Sequence, residues 1–194
     1  MAKSRRSFNR RAPVRPYRKR FVVATEGQET EPLYFSMFNS KHSTVQIVLL
    51  KSKRKTSPGQ VLDRLKKADI SKKDSAWIVI DRDTWEEQEL NQVYDGCKGK
   101  GYKMALSNPM FEYWILLHFE DGNGINAGNV KTRLKTHLPD FTKSHVEVHK
   151  IKPGIDNAIR RAERRDCPSC DKWPLTTGTT VYRLVKELQA AASE

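Results

Sequence analysis

At 194 residues the chain is long enough for one α/β domain with a real core and little more. Its apolar fraction of 37% is low, no apolar run approaches the roughly 18 residues that span a bilayer, and the basic start leads into no apolar secretory segment; a cytoplasmic protein with no membrane partner is expected. The formal charge of +13 is concentrated, because nine of the 36 Lys and Arg lie in residues 1–20, which hold no acid, while the other 27 face 23 Asp and Glu.

That opening arm also carries Pro13 and Pro16 and buries too little apolar surface to fold alone. Arg5, Arg6, Arg10 and Arg11 make it a candidate phosphate contact whose strength falls with salt. A solubilising tail explains the same charge. A single folded unit is expected over 21–192, with a core at 21–120.

Residues 21–25 predict a buried strand. Thr30-Glu31-Pro32 opens a helix to about 39, with Thr30 as N-cap and Pro32 in the first turn. Residues 45–50 predict a second strand and 51–55 a basic loop. Ser57-Pro58 starts a helix with Val61, Leu62 and Leu65 on one face. Residues 76–80 predict a third strand, running into Asp81. Thr84 and Glu87 have capping-box spacing for a helix to about 98, stopped by Gly99 and Gly101. A fourth strand over 102–106 leads to Asn108-Pro109, which caps the next helix. This βαβαβαβα order predicts a mainly parallel four-stranded sheet with helices on both faces. Beyond Glu120, helices are expected at 127–137, 154–165 and 179–191, as an elaboration on the sheet. Residues 138–153 are ambiguous, with HVEVHKI alternating like a short edge strand, and 166–178 read as a loop.

Right-handed crossovers place the C-terminal ends of parallel strands on one edge, where α/β sheets build their sites. Glu26 follows the first strand, and Asp81-Arg82-Asp83 follows the third. Asp81 and Asp83, two apart in an extended chain, point the same way. Carboxylates a few ångströms apart repel unless a cation lies between them. Mg²⁺ held by one or two carboxylates, water and substrate phosphate fits, with Mn²⁺ as the alternative. A solvated loop pair is the plain alternative for so short a string. Gly27 allows a tight turn beside a ligand, and Glu26 is a candidate metal ligand or general acid–base if its strand neighbours the third. Glu31 is explained as favourable charge in a helix's first turn.

Glu112 lies in the apolar run 110–119 and wants a partner: it is a candidate metal ligand, a supporting acid of the site, or the mate of an Arg. His118 reads as a satisfied core histidine. Lys143, Lys150, Lys152, Arg160 and Arg161 are candidate phosphate contacts, although a solvated basic face explains them equally. Three cysteines argue against a disulfide framework. Cys167-Pro-Ser-Cys170 has the spacing of half a zinc site whose other half is missing. No Walker motif is present, so no P-loop nucleotide site is expected.

These residues also carry a resemblance. Thr25-Glu26-Gly27-Gln28-Glu29-Thr30-Glu31-Pro32-Leu33-Tyr34-Phe35 resembles the (C)EGxxTEPxYF opening of the RloB-like family. Asp81-Arg82-Asp83 is similar to its DxD, and residues 107–119 (SNPMFEYWILLHF) to its SNPxFExWLLLHF block. Residues 179–185 (TTVYRLV) resemble its TTVxxLV ending. Thr25 stands where Cys is common, and the basic arm and the CPSC segment have no place in the pattern. The family is similar to Toprim domains, so the resemblance implies a Toprim-like metal site of Glu26, Asp81 and Asp83. It further implies an anti-phage effector, a nuclease acting on RNA in preference to DNA, with a partner ATPase. A constitutive RNA-processing endonuclease and a non-catalytic module remain alternatives. The oligomeric state is open, a homo-oligomer included.

Overall fold

The computed structural model describes residues 18–39, 43–52, 57–82 and 85–193. In chain order the elements are β1 (Lys19–Thr25), α1 (Thr30–Ser36), β2 (Val45–Leu50), α2 (Pro58–Lys66), β3 (Ser75–Asp81), α3 (Glu87–Lys98), β4 (Lys103–Asn108) and α4 (Phe111–Leu116). They continue with α5 (Val130–His137), α6 (Val148–Ile151), a 3₁₀ turn (Lys152–Gly154), α7 (Ile155–Arg165), β5 (Gly178–Thr179) and α8 (Val181–Ser193).

The sheet has five strands in the order β2-β1-β3-β4-β5, not the four expected. Its first four are parallel, as the βα alternation predicts. The fifth, β5, is a two-residue antiparallel addition to the edge of β4, pairing Ser107 with Thr179 and Asn108 with Gly178. It falls partly where a loop and partly where a helix were expected. A strand so short carries no periodicity, so only the neighbouring edge reveals it. The ambiguous HVEVHKI segment is not an edge strand. Residues 148–151 make one helical turn, and Thr142 and His145 form an isolated bridge.

Strand residues alternate between two cores, as a period of two requires. Phe21, Val23, Trp77, Val79 and Ala105 face a layer built by α1, α4, α5, α7 and α8. Val22, Ala24, Ile78, Ile80 and Leu106 face the layer of α2 and α3. The α4 residues Phe111–Leu116 are all buried, at the centre of the first layer. Truncating a fully buried Trp such as Trp114 costs about 3–5 kcal/mol. His118 is the core histidine expected: its Nδ1 lies 3.0 Å from Trp114 O and its Nε2 3.1 Å from Tyr34 Oη. Because a carbonyl only accepts, Nδ1 carries the proton and Nε2 accepts from the tyrosine. Burial lowers its pKa to about 4, so the ring is neutral at pH 7.

The helix starts sort differently from expectation. Ser57 caps α2 in a full capping box with Gln60. At α3 the N-cap is Glu86, with no side-chain bond, so the Thr84–Glu87 box does not hold; Thr84 itself lies outside the described residues. The α1 N-cap is Glu29 rather than Thr30. Asn108 does not cap α4, whose N-cap is Met110; its amide instead donates to Pro174 O at 3.2 Å and Leu175 O at 3.1 Å. Gly101, at φ 69°, turns the chain from α3 into β4, as its place in the sequence predicts. Among the described residues no helix is long and apolar enough to cross a membrane.

Ser57→Ala should cost about 1 kcal/mol and lower Tm by ~2–4 °C, whereas Glu86→Ala, which removes no cap bond, should cost less than half as much. Paired thermal melts check this.

Candidate active site

The order β2-β1-β3-β4 reverses direction between β1 and β3, which makes their C-terminal ends a topological switch point, where α/β sheets bind ligands. Glu26 leaves β1 there, its N–H bonded to Val79 O at 2.9 Å, and Asp81 ends β3. A cavity of about 480 Å³ opens over this edge. Its walls include Glu26, Glu31, Asp81 and Glu112, with Lys131 and Lys143 on the same lining.

Each acid is held by identifiable contacts. Glu26 Oε2 accepts from Asp81 N at 3.2 Å, and Oε1 accepts from Trp85 Nε1 at 3.3 Å. The β1 carboxylate therefore bridges directly onto the end of β3. Thr25 Oγ1 donates to Gly27 O at 2.8 Å and closes the turn between them. Arg64, from α2, donates to Thr25 O at 3.0 Å and Leu50 O at 2.9 Å, and so ties the ends of β1 and β2 together. Glu31 is 5% exposed and its Oε1 accepts from Gly27 N at 2.9 Å. A Cβ on Gly27 would lie 2.0 Å from Glu31 Oε2, so Glu31 occupies the space that only glycine leaves. Glu112, also buried, has Lys131 Nζ at 3.9 Å, so its partner is a lysine from α5.

The electrostatics are those of crowded acids. Burial raises the Asp81 pKa well above its ordinary value, the charges of Glu31, Glu112 and Glu26 push it further, and a hydrogen bond from the Phe111 backbone opposes them. Although Asp81 keeps some exposed surface, its Oδ1 is beyond the reach of solvent and has no hydrogen-bond partner. Burial is also the main cause at Glu31, whose pKa rises to about 7, with Glu112 and Glu26 adding to it and the Gly27 N–H opposing.

The structure thus brings together Glu26, Asp81, Glu112 and Lys143 of the residues singled out in the sequence. Asp83, Arg5, Arg6, Arg10 and Arg11 lie outside the described residues. Lys150 pairs with Glu147 at 2.7 Å, Lys152 is exposed, and Arg160 and Arg161 line a separate cleft. Glu31 is a first-turn acid of α1 as expected, but its burial in the cavity wall has no counterpart in that reading, and Lys131 has no sequence signal. The clue to Glu31 was Gly27, four residues earlier, as the glycine that admits it. Thr30 Oγ1 donates to Lys143 O at 3.1 Å and so fixes Lys143 over the cavity.

Every acid of this cavity offers oxygen, the donor that hard divalent cations take, and the unpartnered Asp81 Oδ1 is an acceptor in want of a positive charge. Among the described residues no group of three or more His, Cys, Asp and Glu is arranged to hold a metal ion in common. That covers Cys97, buried under α2 and α3, as well as Cys167 and Cys170. Cys170 instead joins a structural knot, where its N–H donates to Asp166 Oδ1 at 2.8 Å and its carbonyl accepts from Arg183 at 2.8 Å.

Fold and site together define an α/β protein with an acidic pocket at the switch point of a parallel sheet. The sequence model of the RloB-like protein family matches residues 21–188, and the chain belongs to that family. No curated protein and no solved structure matches it.

Gly27→Ala should displace Glu31 and cost about 1–3 kcal/mol by overpacking, read from denaturant midpoints. Glu31 binds its proton more tightly folded than unfolded, so it stabilises the fold below its ordinary pKa of 4.5 and loses that contribution as pH rises to about 7. Glu31→Gln should therefore melt higher than wild type at pH 8, with the gap closing toward pH 4.5. A gap independent of pH would remove the assignment.

Proposed function

We infer that this chain is a Toprim-like, Mg²⁺-dependent nuclease that hydrolyses phosphodiester bonds, in RNA by preference, as the effector of an anti-phage system. The observation that carries the reading is Asp81 Oδ1, buried without a partner beside Glu26, Glu31 and Glu112 at a sheet's switch point. Membership of the RloB-like family supports the Toprim and defence parts of it, including a partner ATPase. The assignment of residues rests on chemistry. Mg²⁺ is held by one or two carboxylates and completes its shell with water and substrate phosphate, so a site lacking three converging acids still suits it. Asp81 and Glu26 would hold the ion, joined by Asp83. When bound, it supplies counter-charge to the scissile phosphate and lowers the pKa of bound water.

The chain's own groups do the rest. Lys131 and Lys143 on the cavity lining draw in a phosphodiester and oppose the negative potential of the acids. Glu31, with its pKa near neutrality and its carboxyl facing the cavity, is suited to give or take a proton at the attacking or leaving oxygen. Glu112 is held by Lys131 and keeps that lysine over the site.

A second reading is a non-catalytic module that binds a cation or partner through the same acids. Expression of wild type and Asp81→Asn at matched levels, without a partner, separates the readings. The nuclease reading expects growth arrest with discrete RNA fragments from wild type and neither from the variant. In vitro the variant should cleave labelled RNA at least ~10²-fold more slowly, with an unchanged or higher Tm, and EDTA should silence wild type. Cleavage unaffected by Asp81→Asn or by EDTA would sink the assignment. Growth and nucleic acids intact with both chains would favour the module. Harmless, site-specific trimming of ribosomal RNA would point to a constitutive processing enzyme.

A further inference from the structure

A second charged site lies at the other end of α4 from Glu112. Helix α7 puts Ile155, Ala158, Ile159 and Ala162 into the core. Its acids Asp156 and Glu163 turn to α8, where Gln189 and Lys186 meet them. The remaining face presents Arg160, Arg161, Arg164 and Arg165 toward the loop after α4. Two clefts of about 480 and 310 Å³ open along it, sharing Asp121, Arg161 and Arg164, and their other lining side chains are Asn157, Arg160, Asn123 and Arg165. The lining contains no apolar residue, so an apolar ligand has nothing to bury there.

Two of the four guanidinium groups are already fixed. Arg161 donates to Leu117 O at 2.8 Å and Asp121 Oδ1 at 3.1 Å, and Arg165 donates to Asp121 O at 3.0 Å and Asn123 Oδ1 at 2.6 Å. Arg164 reaches Asp121 Oδ1 at 3.3 Å but stays 69% exposed, and Arg160 is exposed beside Asn157. One carboxylate therefore serves a set of four cations, which leaves a net positive surface with donors to spare. Guanidinium held in place loses less entropy on meeting an anion, and its planar fork matches phosphate. Arg160 and Arg164, like Arg161 and Arg165, stand about one helical turn apart, ~6 Å along the axis, close to the separation of successive phosphates in a nucleic-acid strand.

We propose that the arginine face of α7 is a binding site for the phosphodiester backbone of the nucleic acid on which the carboxylate pocket acts, holding phosphates away from the scissile bond. The proposal builds on the nuclease reading yet is tested apart from it. Binding of fluorescein-labelled oligouridine is measured by anisotropy in EDTA over a salt series, with wild type, Arg160→Ala/Arg164→Ala, and Lys98→Ala/Lys100→Ala, at the end of α3 on the opposite layer of the sheet, as a charge-matched control. The arginine pair is chosen because neither residue holds the Leu117 carbonyl. Its loss should weaken binding about tenfold at low salt and flatten the log–log salt slope by about 0.7 per lost phosphate contact. The lysine control should bind like wild type. Equal affinity and slope in wild type and the arginine variant would overturn the proposal. So would displacement of the oligonucleotide by micromolar inorganic phosphate, which marks a small-anion site, or a loss confined to phosphatidylserine vesicles. A wild-type chain that binds in this way but cleaves nothing removes the nuclease reading and leaves the cleft standing. Cleavage with an unchanged KM in the arginine variant does the reverse.

Discussion

Repulsion among the acids at the ends of β1 and β3 is the constraint to which the surrounding structure answers. Glu26, Glu31, Asp81 and Glu112 share one cavity, and burial makes each charge costlier than it would be in water. The fold offsets this in stages. Glu26 is satisfied by the Asp81 N–H and the Trp85 indole, Glu31 by the Gly27 N–H, and Glu112 by Lys131. Asp81 Oδ1 alone among these oxygens is buried with no partner. Protonation lowers the energy of such a group in the free protein, and a bound cation lowers it in the liganded one. A stability optimum and a binding site are here two outcomes of one local imbalance.

The features around the cavity keep that imbalance in place. Arg64 clamps the carbonyls of Thr25 and Leu50, so the strand end that carries Glu26 cannot drift from β2. Gly27 leaves room for Glu31. The buried α4 sets Glu112 from one end and receives Arg161 at the other, on the Leu117 carbonyl. One short helix thereby links an acidic pocket to a basic cleft. Opposite potentials at the two ends of a buried element would orient a long polyanion before any specific contact forms.

Much of this was legible in the sequence because it rests on short-range chemistry. The four parallel strands follow from runs such as FVVAT and WIVI, and the placement of Glu26 and Asp81 follows from where those runs stop. His118 was legible too, since an apolar helix with one imidazole has to satisfy it internally. What escaped depended on distant partners. β5 is two residues with no pattern of its own, fixed by the exposed edge of β4. Lys131 meets Glu112 only because α5 folds back on α4. Glu31 looked like an ordinary first-turn acid because the sequence does not display the cover that buries it. The cap expected from Thr84 fails for a related reason: capping spacing is common, and the helix begins where Glu86 turns extended, at ψ 145°.

The cavity wall and the opposite end of the sheet are both held from far along the chain. Thr30 is tied to the carbonyl of Lys143, 113 positions later, and Thr44 to that of Ala191, 147 positions later. Glu187 of α8 reaches back to Ser75 and Lys103, at the starts of β3 and β4. Contacts of such separation form late, because loop closure must precede them. On the ribosome, strands β1 to β4 would leave the exit tunnel before the lysines of the rim and the last helix do. The nascent chain would therefore carry its acids for some time as an open, unfinished edge. A cell making this protein gains an interval, set by the rate of translation, before the pocket exists at all.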